Sequence, residues 1–254
     1  MSDVVVTQSV AVLEIRFNRP DKKNALTGEM YDAVETAFKR ADEDPSVRVV
    51  LLTGTGDTFT SGNDIRDFQA RAASEQGIQV SPFLNALSSL RKPLVAAVNG
   101  AAVGVGTTML AHADLVVAVR SARFVMPFTS LGLVPEAASS LLFPLLVGYQ
   151  RASALLLLGE AIDAETAYDW GLVNKLVAEA DLMSTARDYA SRLAALPPES
   201  VRQTKALIRF GRRDVPGRIE EELALFRNRL RSAEAAEAFQ AFLEKRKPDF
   251  SRFS

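Results

Sequence analysis

The amino-acid sequence predicts an α/β protein. Up to about residue 180, short apolar runs of strand length alternate with helical stretches. Two of these runs, residues 47–52 and 93–98, lead into glycine-containing turns that are followed by helical sequence. From Asp181 onward the strand signals end and four amphipathic helical segments follow. We therefore expect an α/β core over residues 1–180 that carries the functional site, and a C-terminal helical subdomain over residues 181–254.

The strand signals differ between the start of the chain and its middle. Residues 4–7 and 10–17 alternate apolar and polar side chains, which predicts a hairpin with its turn near Gln8-Ser9. The runs at 47–52 and 93–98 are apolar throughout, as expected of strands buried on both faces. Further strands are predicted at 114–119, 123–126 and 172–177.

The helix signals come mainly from residues that suit helix starts. Thr27 is a good N-cap for a helix that runs to about Glu43, and Asp163 caps a helix that ends before Gly171. Pro135 suits the first position of a helix that runs to about Val147. Further helices are predicted at 82–90, 107–111, 151–158 and in the C-terminal segments, which are separated near Pro197-Pro198, residues 211–216 and Ser232.

The composition excludes several classes of function. With 254 residues, 48% of them hydrophobic, and a net charge of −1, the chain is typical of a globular protein and lacks the basic excess of a nucleic-acid surface. It has no cysteine and one histidine, His112, which excludes thiol nucleophiles and multi-histidine metal sites. Residues 1–3 lack signal-peptide features, and the most apolar run, 103–119, is interrupted by polar residues. We expect a cytoplasmic enzyme with no metal, membrane or nucleic-acid partner.

The glycine-rich stretch Asn99-Gly100-Ala101-Ala102-Val103-Gly104-Val105-Gly106 is predicted to be a turn between a buried strand and a helix. Such a turn directs free backbone N–H groups toward a bound anion. It is not a phosphate-binding loop, because no lysine follows Gly106 and the third glycine is missing. A similar turn occurs at Phe59-Thr60-Ser61-Gly62-Asn63-Asp64-Ile65. Together, the two turns could hold a developing oxyanion; alternatively, their glycines only permit tight turns and close packing.

These two motifs, about forty residues apart, resemble the crotonase superfamily of enoyl-CoA hydratases and isomerases. The resemblance extends from Asn18-Arg19-Pro20 and Asn24-Ala25-Leu26 to Phe242-Leu243-Glu244-Lys245-Arg246-Lys247-Pro248-Asp249-Phe250. It implies a crotonase-like ββα spiral core, an acyl-CoA thioester as substrate and no separate cofactor, because coenzyme A is part of the substrate. It also implies a homotrimer or a dimer of trimers, to which the C-terminal helices would contribute apolar faces.

The resemblance assigns the thioester oxygen to two backbone N–H groups, those of Asn63 and Val105. Asp64 would then hold the first turn, and its alternative role is that of a helix cap. Lys245 would reach the phosphates of coenzyme A, often in an adjacent subunit. The substrate-binding residues implied in this way are Ala25, Ser61, Gly62, Asn63, Asp64, Ile65, Gly104 and Lys245.

The acid and base residues distinguish members of this superfamily. Hydratases resemble one another in two glutamates, and the matching positions here are Thr108 and Phe128, neither of which can activate water or protonate carbon. Glu136, within a stretch similar to the peroxisomal-type Δ3,Δ2-enoyl-CoA isomerases, matches their single catalytic base. The apolar residues around Glu136 predict a raised pKa. The alternative is a carboxylate in the first turn of a helix that interacts with the helix dipole.

We therefore predict an isomerase that shifts the double bond of 3-enoyl-CoA to give 2-trans-enoyl-CoA. One alternative is another crotonase-type enzyme, either a ring-oxepin-CoA isomerase of phenylacetate breakdown, which usually carries aspartate at the Glu136 position, or a hydratase with an unusual base. A second alternative is a non-catalytic acyl-CoA-binding module. His112 is predicted to be a packed or surface residue, and Asp67 and Glu75 belong to a polar segment, residues 66–81, predicted to be mobile near the site or a plain surface loop.

Overall fold

The structure is a computed structural model and describes residues 2–67, 81–209, 214–251 and 253. The β-strands are β1 (Val4–Ser9), β2 (Val12–Phe17), β3 (Val49–Gly54), β4 (Thr58–Thr60), β5 (Leu94–Val98), β6 (Ala101–Val103), β7 (Leu115–Val119), β8 (Arg123–Val125), β9 (Ile162–Asp163) and β10 (Lys175–Val177). The α-helices are α1 (Gly28–Glu43), α2 (Ser81–Ser89), α3 (Val105–Thr108), α4 (Ser139–Val147), α5 (Tyr149–Ser153), α6 (Ala164–Asp169), α7 (Leu182–Ala195), α8 (Pro198–Arg209), α9 (Val215–Leu230) and α10 (Ala233–Leu243). Most of the segment 66–81, with Glu75, lies outside the described residues.

The strands form two sheets, which confirms the α/β class. In the larger sheet the order is β1-β2-β3-β5-β7-β10, with β1 antiparallel to β2 and the remaining neighbours parallel. The smaller sheet has the order β4-β6-β8-β9, in which β4, β6 and β8 are parallel. The central strands β3 and β5 are buried along their whole length, as their continuous apolar sequence predicts.

The chain alternates between the two sheets. After β3, β5 and β7 in the larger sheet it enters β4, β6 and β8 in the smaller sheet. The predicted single turn at residues 99–106 is therefore wrong in detail, because β6 lies inside it and separates a turn at Asn99-Gly100 from a second turn at Gly104. Likewise β4 precedes the turn at Ser61. Three-residue strands have too few positions for their alternation to be recognised in sequence.

Two other element boundaries differ from the sequence prediction. The hairpin turn lies at Val10-Ala11 rather than Gln8-Ser9, with Val10 in a left-handed conformation (φ of 52°). The helix predicted to begin at Pro135 begins at Ser139. By contrast, the N-caps at Thr27 and Asp163 are confirmed, since their side chains accept hydrogen bonds from Met30 N and Thr166 N.

The C-terminal part of the chain is helical, as predicted. Helix α7 packs across β3, β5 and β7 and buries Leu182, Ala186 and Ala190. Helix α8 is tied to the sheet by the buried Lys205, whose ammonium donates to Asp114 Oδ2 at 2.6 Å. A separate subdomain over residues 181–254 stays a prediction. Among the described helices, none is long and apolar enough to cross a membrane.

Gly100 has the most restricted surroundings of the turn glycines. A Cβ atom there would lie 1.8 Å from the carbonyl oxygen of Asp57, and φ is +154°. We expect Gly100→Ala to destabilise the fold by about 4 kcal/mol or more, because backbone atoms of two turns must separate. Gly171→Ala is the matched control, since Gly171 also has a positive φ (+84°) but nothing within 4 Å. Its expected cost is about 1–2 kcal/mol. Equal urea-unfolding free energies for the two variants would contradict this prediction.

Candidate active site

The two glycine turns predicted from sequence lie side by side. Strands β4 and β6 are parallel neighbours, so their carboxyl ends meet at one edge of the smaller sheet. A Cβ atom at Gly62 would lie 2.9 Å from Val103 O, and one at Gly106 would lie 2.5 Å from Thr60 Cγ2. Close packing therefore explains these two glycines, as the alternative interpretation proposed. Gly104 differs, because nothing lies within 4 Å of its Cβ position while its φ is +56°.

Each turn presents one backbone N–H that the described residues leave without a hydrogen-bond acceptor. The N–H of Leu26 donates to Gly62 O at 2.8 Å, and the carbonyl oxygen of Leu26 accepts from Asp64 N at 2.9 Å. These two hydrogen bonds do not involve the N–H of Asn63, which lies between Gly62 and Asp64 in the chain. Val105 is the first residue of α3, where an N–H has no partner within the helix. Within the described part of the chain, neither N–H has a backbone or side-chain acceptor. Two such donors on adjacent turns can bind one anionic oxygen.

The first turn is held by side chains from the start of the chain. Asp64 accepts hydrogen bonds from Arg66 N and Asp67 N at 3.2 and 3.3 Å, and its other oxygen lies 3.3 Å from the Arg19 guanidinium. It thus makes both the cap contacts and the turn-holding contact considered from sequence. The phenol of Tyr31 donates to Asn63 Oδ1 at 2.6 Å and fixes the Asn63 side chain.

Glu136 lies in a left-handed turn before α4 and not in the first turn of a helix. Ala137 and Ala138 have φ values of 60° and 55°, and α4 begins only at Ser139. The helix-dipole interpretation of Glu136 is therefore wrong. His112 Nε2 donates to Ala137 O at 2.8 Å, and Glu222 Oε1 on α9 accepts from Ser140 N at 2.9 Å. These contacts from distant segments hold the turn. The sequence predicts that His112 is a packed or surface residue, and its burial makes it a packed one.

The Glu136 carboxyl group is buried, with one oxygen paired and the other free. Its Oε1 accepts a hydrogen bond from Thr108 Oγ1 at 2.5 Å, while Oε2 has no hydrogen-bond partner among the described residues. Burial raises the pKa of Glu136 to about 8, the Thr108 hydrogen bond lowers it, and the charge of Glu222 raises it further. The direction matches the prediction from the apolar neighbours. A carboxyl group with this pKa can both accept and donate a proton near neutral pH.

The remaining predicted site residues differ in their burial and in their contacts. Ala25, Ser61 and Ile65 are partly buried around the first turn, where Ser61 N donates to Lys23 O at 3.0 Å. Gly104 N donates to Val125 O at 2.8 Å. Lys245 is exposed after α10 and makes no side-chain hydrogen bond or ion pair with any residue that the structure describes. Its assignment to coenzyme A stays a prediction.

The sequence interpretation did not foresee three contacts of this site. The sequence motifs mark Thr108 only as a position without a glutamate, whereas in the structure it is the hydrogen-bond partner of Glu136. Tyr31 and Glu222 reach the site from helices α1 and α9, so no local pattern indicates them. Phe128, the second position matched to a hydratase glutamate, is buried edge-on against Phe226. No cluster of three or more potential metal ligands occurs within 2–67, 81–209 and 214–251.

The fold and the paired turns define a member of the enoyl-CoA hydratase/isomerase family, whose crotonase fold alternates strands between two sheets. The family model for enoyl-CoA hydratase/isomerase matches residues 7–252, so the chain belongs to this family. A crystal structure of an enoyl-CoA hydratase/isomerase from Pseudoalteromonas atlantica T6c is similar, with a TM-score of 0.93 and 45% identity over 98% of this chain and 100% of that chain.

Two curated relatives carry more specific names. Enoyl-CoA delta isomerase 2 of Rattus norvegicus is 38% identical over 250 residues, which are 96% of this chain but 64% of that protein, so the chain spans less than two thirds of that relative. The 1,2-epoxyphenylacetyl-CoA isomerase of Escherichia coli strain K12 is 36% identical over 251 residues, which are 94% of this chain and 95% of that protein. The similarity therefore extends to two kinds of acyl-CoA isomerase.

Proposed function

We propose that the protein isomerises 3-enoyl-CoA thioesters to 2-trans-enoyl-CoA thioesters, with Glu136 as the proton shuttle. The observation that carries this proposal is the buried Glu136 carboxyl group, which has one oxygen held by Thr108 and the other without a hydrogen-bond partner among the described residues. Its Oε2 removes the proton from C2, and the electrons of that C–H bond move into the conjugated enolate. The same proton then returns at C4, so the double bond moves and the carboxylate is regenerated.

In the same proposal, Asn63 N–H and Val105 N–H bind the thioester oxygen as it becomes an enolate oxygen. Loss of one such donor typically costs about 3–4 kcal/mol of transition-state stabilisation. Ala25, Ser61, Gly62, Asp64, Ile65 and Gly104 form the surroundings of the acyl-CoA, and Lys245 contacts its phosphates. Coenzyme A is part of the substrate, and we expect no further cofactor.

Hydration is less well supported by these residues. Addition of water across a double bond needs a base for the water and an acid for the α carbon. Thr108 supplies only a hydroxyl, which is already bonded to Glu136, and Phe128 supplies a hydrocarbon ring. Ring-oxepin isomerisation is the second candidate, favoured by the similarity to the E. coli 1,2-epoxyphenylacetyl-CoA isomerase over nearly its whole length.

A substrate screen with the wild-type protein tests the proposal. The substrates are 3-cis-enoyl-CoA, 3-trans-enoyl-CoA and 2-trans-enoyl-CoA, with formation of the conjugated thioester followed by ultraviolet absorbance. We expect turnover of both 3-enoyl substrates and no hydration of crotonyl-CoA. Hydration faster than isomerisation would support the hydratase alternative. Binding of acyl-CoA without turnover of any substrate would support the non-catalytic module.

The rate is expected to depend on pH through Glu136. Because the base must be ionised and its pKa is raised to about 8, kcat/KM should rise with pH and level off above about 8. Near pH 6 it should be about one hundredfold below the plateau. Glu222→Gln should move the midpoint to lower pH, because it removes a charge that repels ionised Glu136. A flat profile across this range would contradict the assignment.

The predicted homotrimer or dimer of trimers also stays a prediction. Large apolar side chains stand exposed on α4, α5 and the π-helical segment Ala154–Leu158 that follows, namely Leu145, Tyr149, Leu157 and Leu158, which are 64–71% exposed. Such a patch is typical of a surface that another protein chain covers. Light scattering coupled to size-exclusion chromatography should give a mass three or six times that of the 27.6 kDa chain. A monomeric mass would contradict the prediction.

A further inference from the structure

We propose that Thr108 is a positioning residue for Glu136, and that its hydroxyl holds Oε1 so that Oε2 alone exchanges the proton with substrate. This inference rests on the proposed isomerisation. It assigns a role to a residue that does not itself exchange a proton with the substrate. It starts from the single hydrogen bond that the Glu136 carboxyl group makes with another side chain in the described part of the chain, the one donated by Thr108 Oγ1 at 2.5 Å.

The position of Thr108 in the fold connects the two parts of the candidate site. Thr108 is fully buried and is the last residue of α3, the short helix whose first residue is Val105. Thr108 N donates to Gly104 O at 3.0 Å, which closes this helical turn. One turn of helix therefore carries the free Val105 N–H at one end and the Glu136 contact at the other. This arrangement fixes the distance between the proposed oxyanion donor and the proposed base.

The Thr108 hydroxyl has one proton and two acceptors within reach. Glu136 Oε1 lies at 2.5 Å and Val105 O at 3.4 Å from the hydroxyl oxygen. The hydroxyl therefore donates its hydrogen bond to the closer acceptor, the Glu136 carboxyl group. Oε1 can accept this bond throughout the reaction, first as a carboxylate oxygen and then as the carbonyl oxygen of the protonated acid. The transferred proton is thereby restricted to Oε2, the oxygen that has no partner in the part of the chain that the structure describes.

Other titratable groups near Glu136 do not duplicate this role. Glu222 on α9 bonds to Ser140, and its charge raises the pKa of Glu136. Tyr31 on α1 donates to Asn63, and burial together with the charges of Glu136 and Asp67 raises its pKa well above the usual value, so it stays neutral. His112 bonds to Ala137 O. Among the described residues, Thr108 is thus the one whose hydrogen bond stabilises the ionised form of Glu136.

The test compares Thr108→Val, which keeps the side-chain shape and removes the hydroxyl, with Thr108→Ser, which keeps the hydroxyl. The pKa of Glu136 is followed by infrared titration of its carboxyl band, identified by its absence from Glu136→Gln. We expect Thr108→Val to raise this pKa by about one to two units, because the ionised form loses its hydrogen bond. Its kcat should fall at least about tenfold, and Thr108→Ser should restore most of both values.

Three outcomes would overturn the proposal: an unchanged or lowered Glu136 pKa in Thr108→Val, an unchanged kcat in that variant, or a serine variant that behaves like the valine variant. A lowered pKa would mean that Thr108 instead accepts a hydrogen bond donated by the protonated Glu136 carboxyl group. If Thr108→Val does not fold, as judged by circular dichroism, Thr108→Ala is read by the same titration. The infrared shift needs no turnover, so a wild-type protein inactive on 3-enoyl-CoA would refute the proposed function separately.

Discussion

Replacement of Glu136 by glutamine is expected to lower kcat for 3-enoyl-CoA isomerisation by roughly 100- to 10,000-fold, the range that a positioned acid–base group contributes. Glutamine has nearly the same shape and keeps an oxygen that can accept the Thr108 hydrogen bond. It cannot accept a proton from C2 at neutral pH. The affinity for an unreactive acyl-CoA should change little, because the proposed thioester contacts are backbone groups of Asn63 and Val105.

Glu222→Gln is the matched control for this experiment. Glu222 is also a buried glutamate with a raised pKa and one oxygen unpaired among the described residues, but its hydrogen bonds go to Ser140. Its replacement should leave the plateau value of kcat within about tenfold of wild type. Retention of kcat within about tenfold of wild type in Glu136→Gln would show that Glu136 is not the base.

Glu136→Gln is also expected to make the fold more stable than that of the wild-type protein at alkaline pH. Glu136 has a pKa of about 8 in the folded protein against a usual value of 4.5, because burial disfavours its ionised form. The folded state therefore binds this proton more tightly than the unfolded state does. The stability associated with it is complete below about pH 4.5 and is lost as pH rises toward 8.

Glutamine does not titrate, so Glu136→Gln avoids this loss. The unfolding free energy of the variant, minus that of wild type, should increase by about 4 kcal/mol between about pH 5 and about pH 9. Urea unfolding of both proteins at a series of pH values measures this difference, and other titrating groups cancel in it. A difference that stays within about 1 kcal/mol would show that Glu136 is ionised at little cost in the folded protein.

A gain in stability together with a loss of activity in Glu136→Gln would identify Glu136 as a residue of the active site. Glu136→Gln would be more stable above about pH 8 and inactive, as expected where a carboxyl group is held buried for its reactivity. If Glu136 only supported the left-handed turn, Glu136→Gln would leave kcat near the wild-type value, whatever the pH dependence of its stability. The two measurements on one variant therefore separate a chemical role for Glu136 from a structural one.

Many features of the fold can be predicted from local sequence. Caps at Thr27 and Asp163, the apolar central strands and the glycine turns depend on residues a few positions apart, so their signals are contained in short windows. The family resemblance rested on such motifs in order, and the match over residues 7–252 confirms it. The sequence motifs also identify Glu136 as the candidate base and show that position 108 is threonine instead of glutamate.

Tertiary structure decided how Glu136 is presented. Pro135 suits a helix start, but His112 and Glu222, which are distant in sequence, bond to Ala137 and Ser140 and hold a left-handed turn instead. The pairing of Thr108 with Glu136 joins residues 28 positions apart. Apolar neighbours predicted the direction of the pKa shift, whereas burial by distant segments and the repulsion from Glu222 determine it. The sequence by itself thus determined which residues are available for the chemistry, and only the tertiary structure decided their contacts, because these depend on packing between elements far apart in the chain.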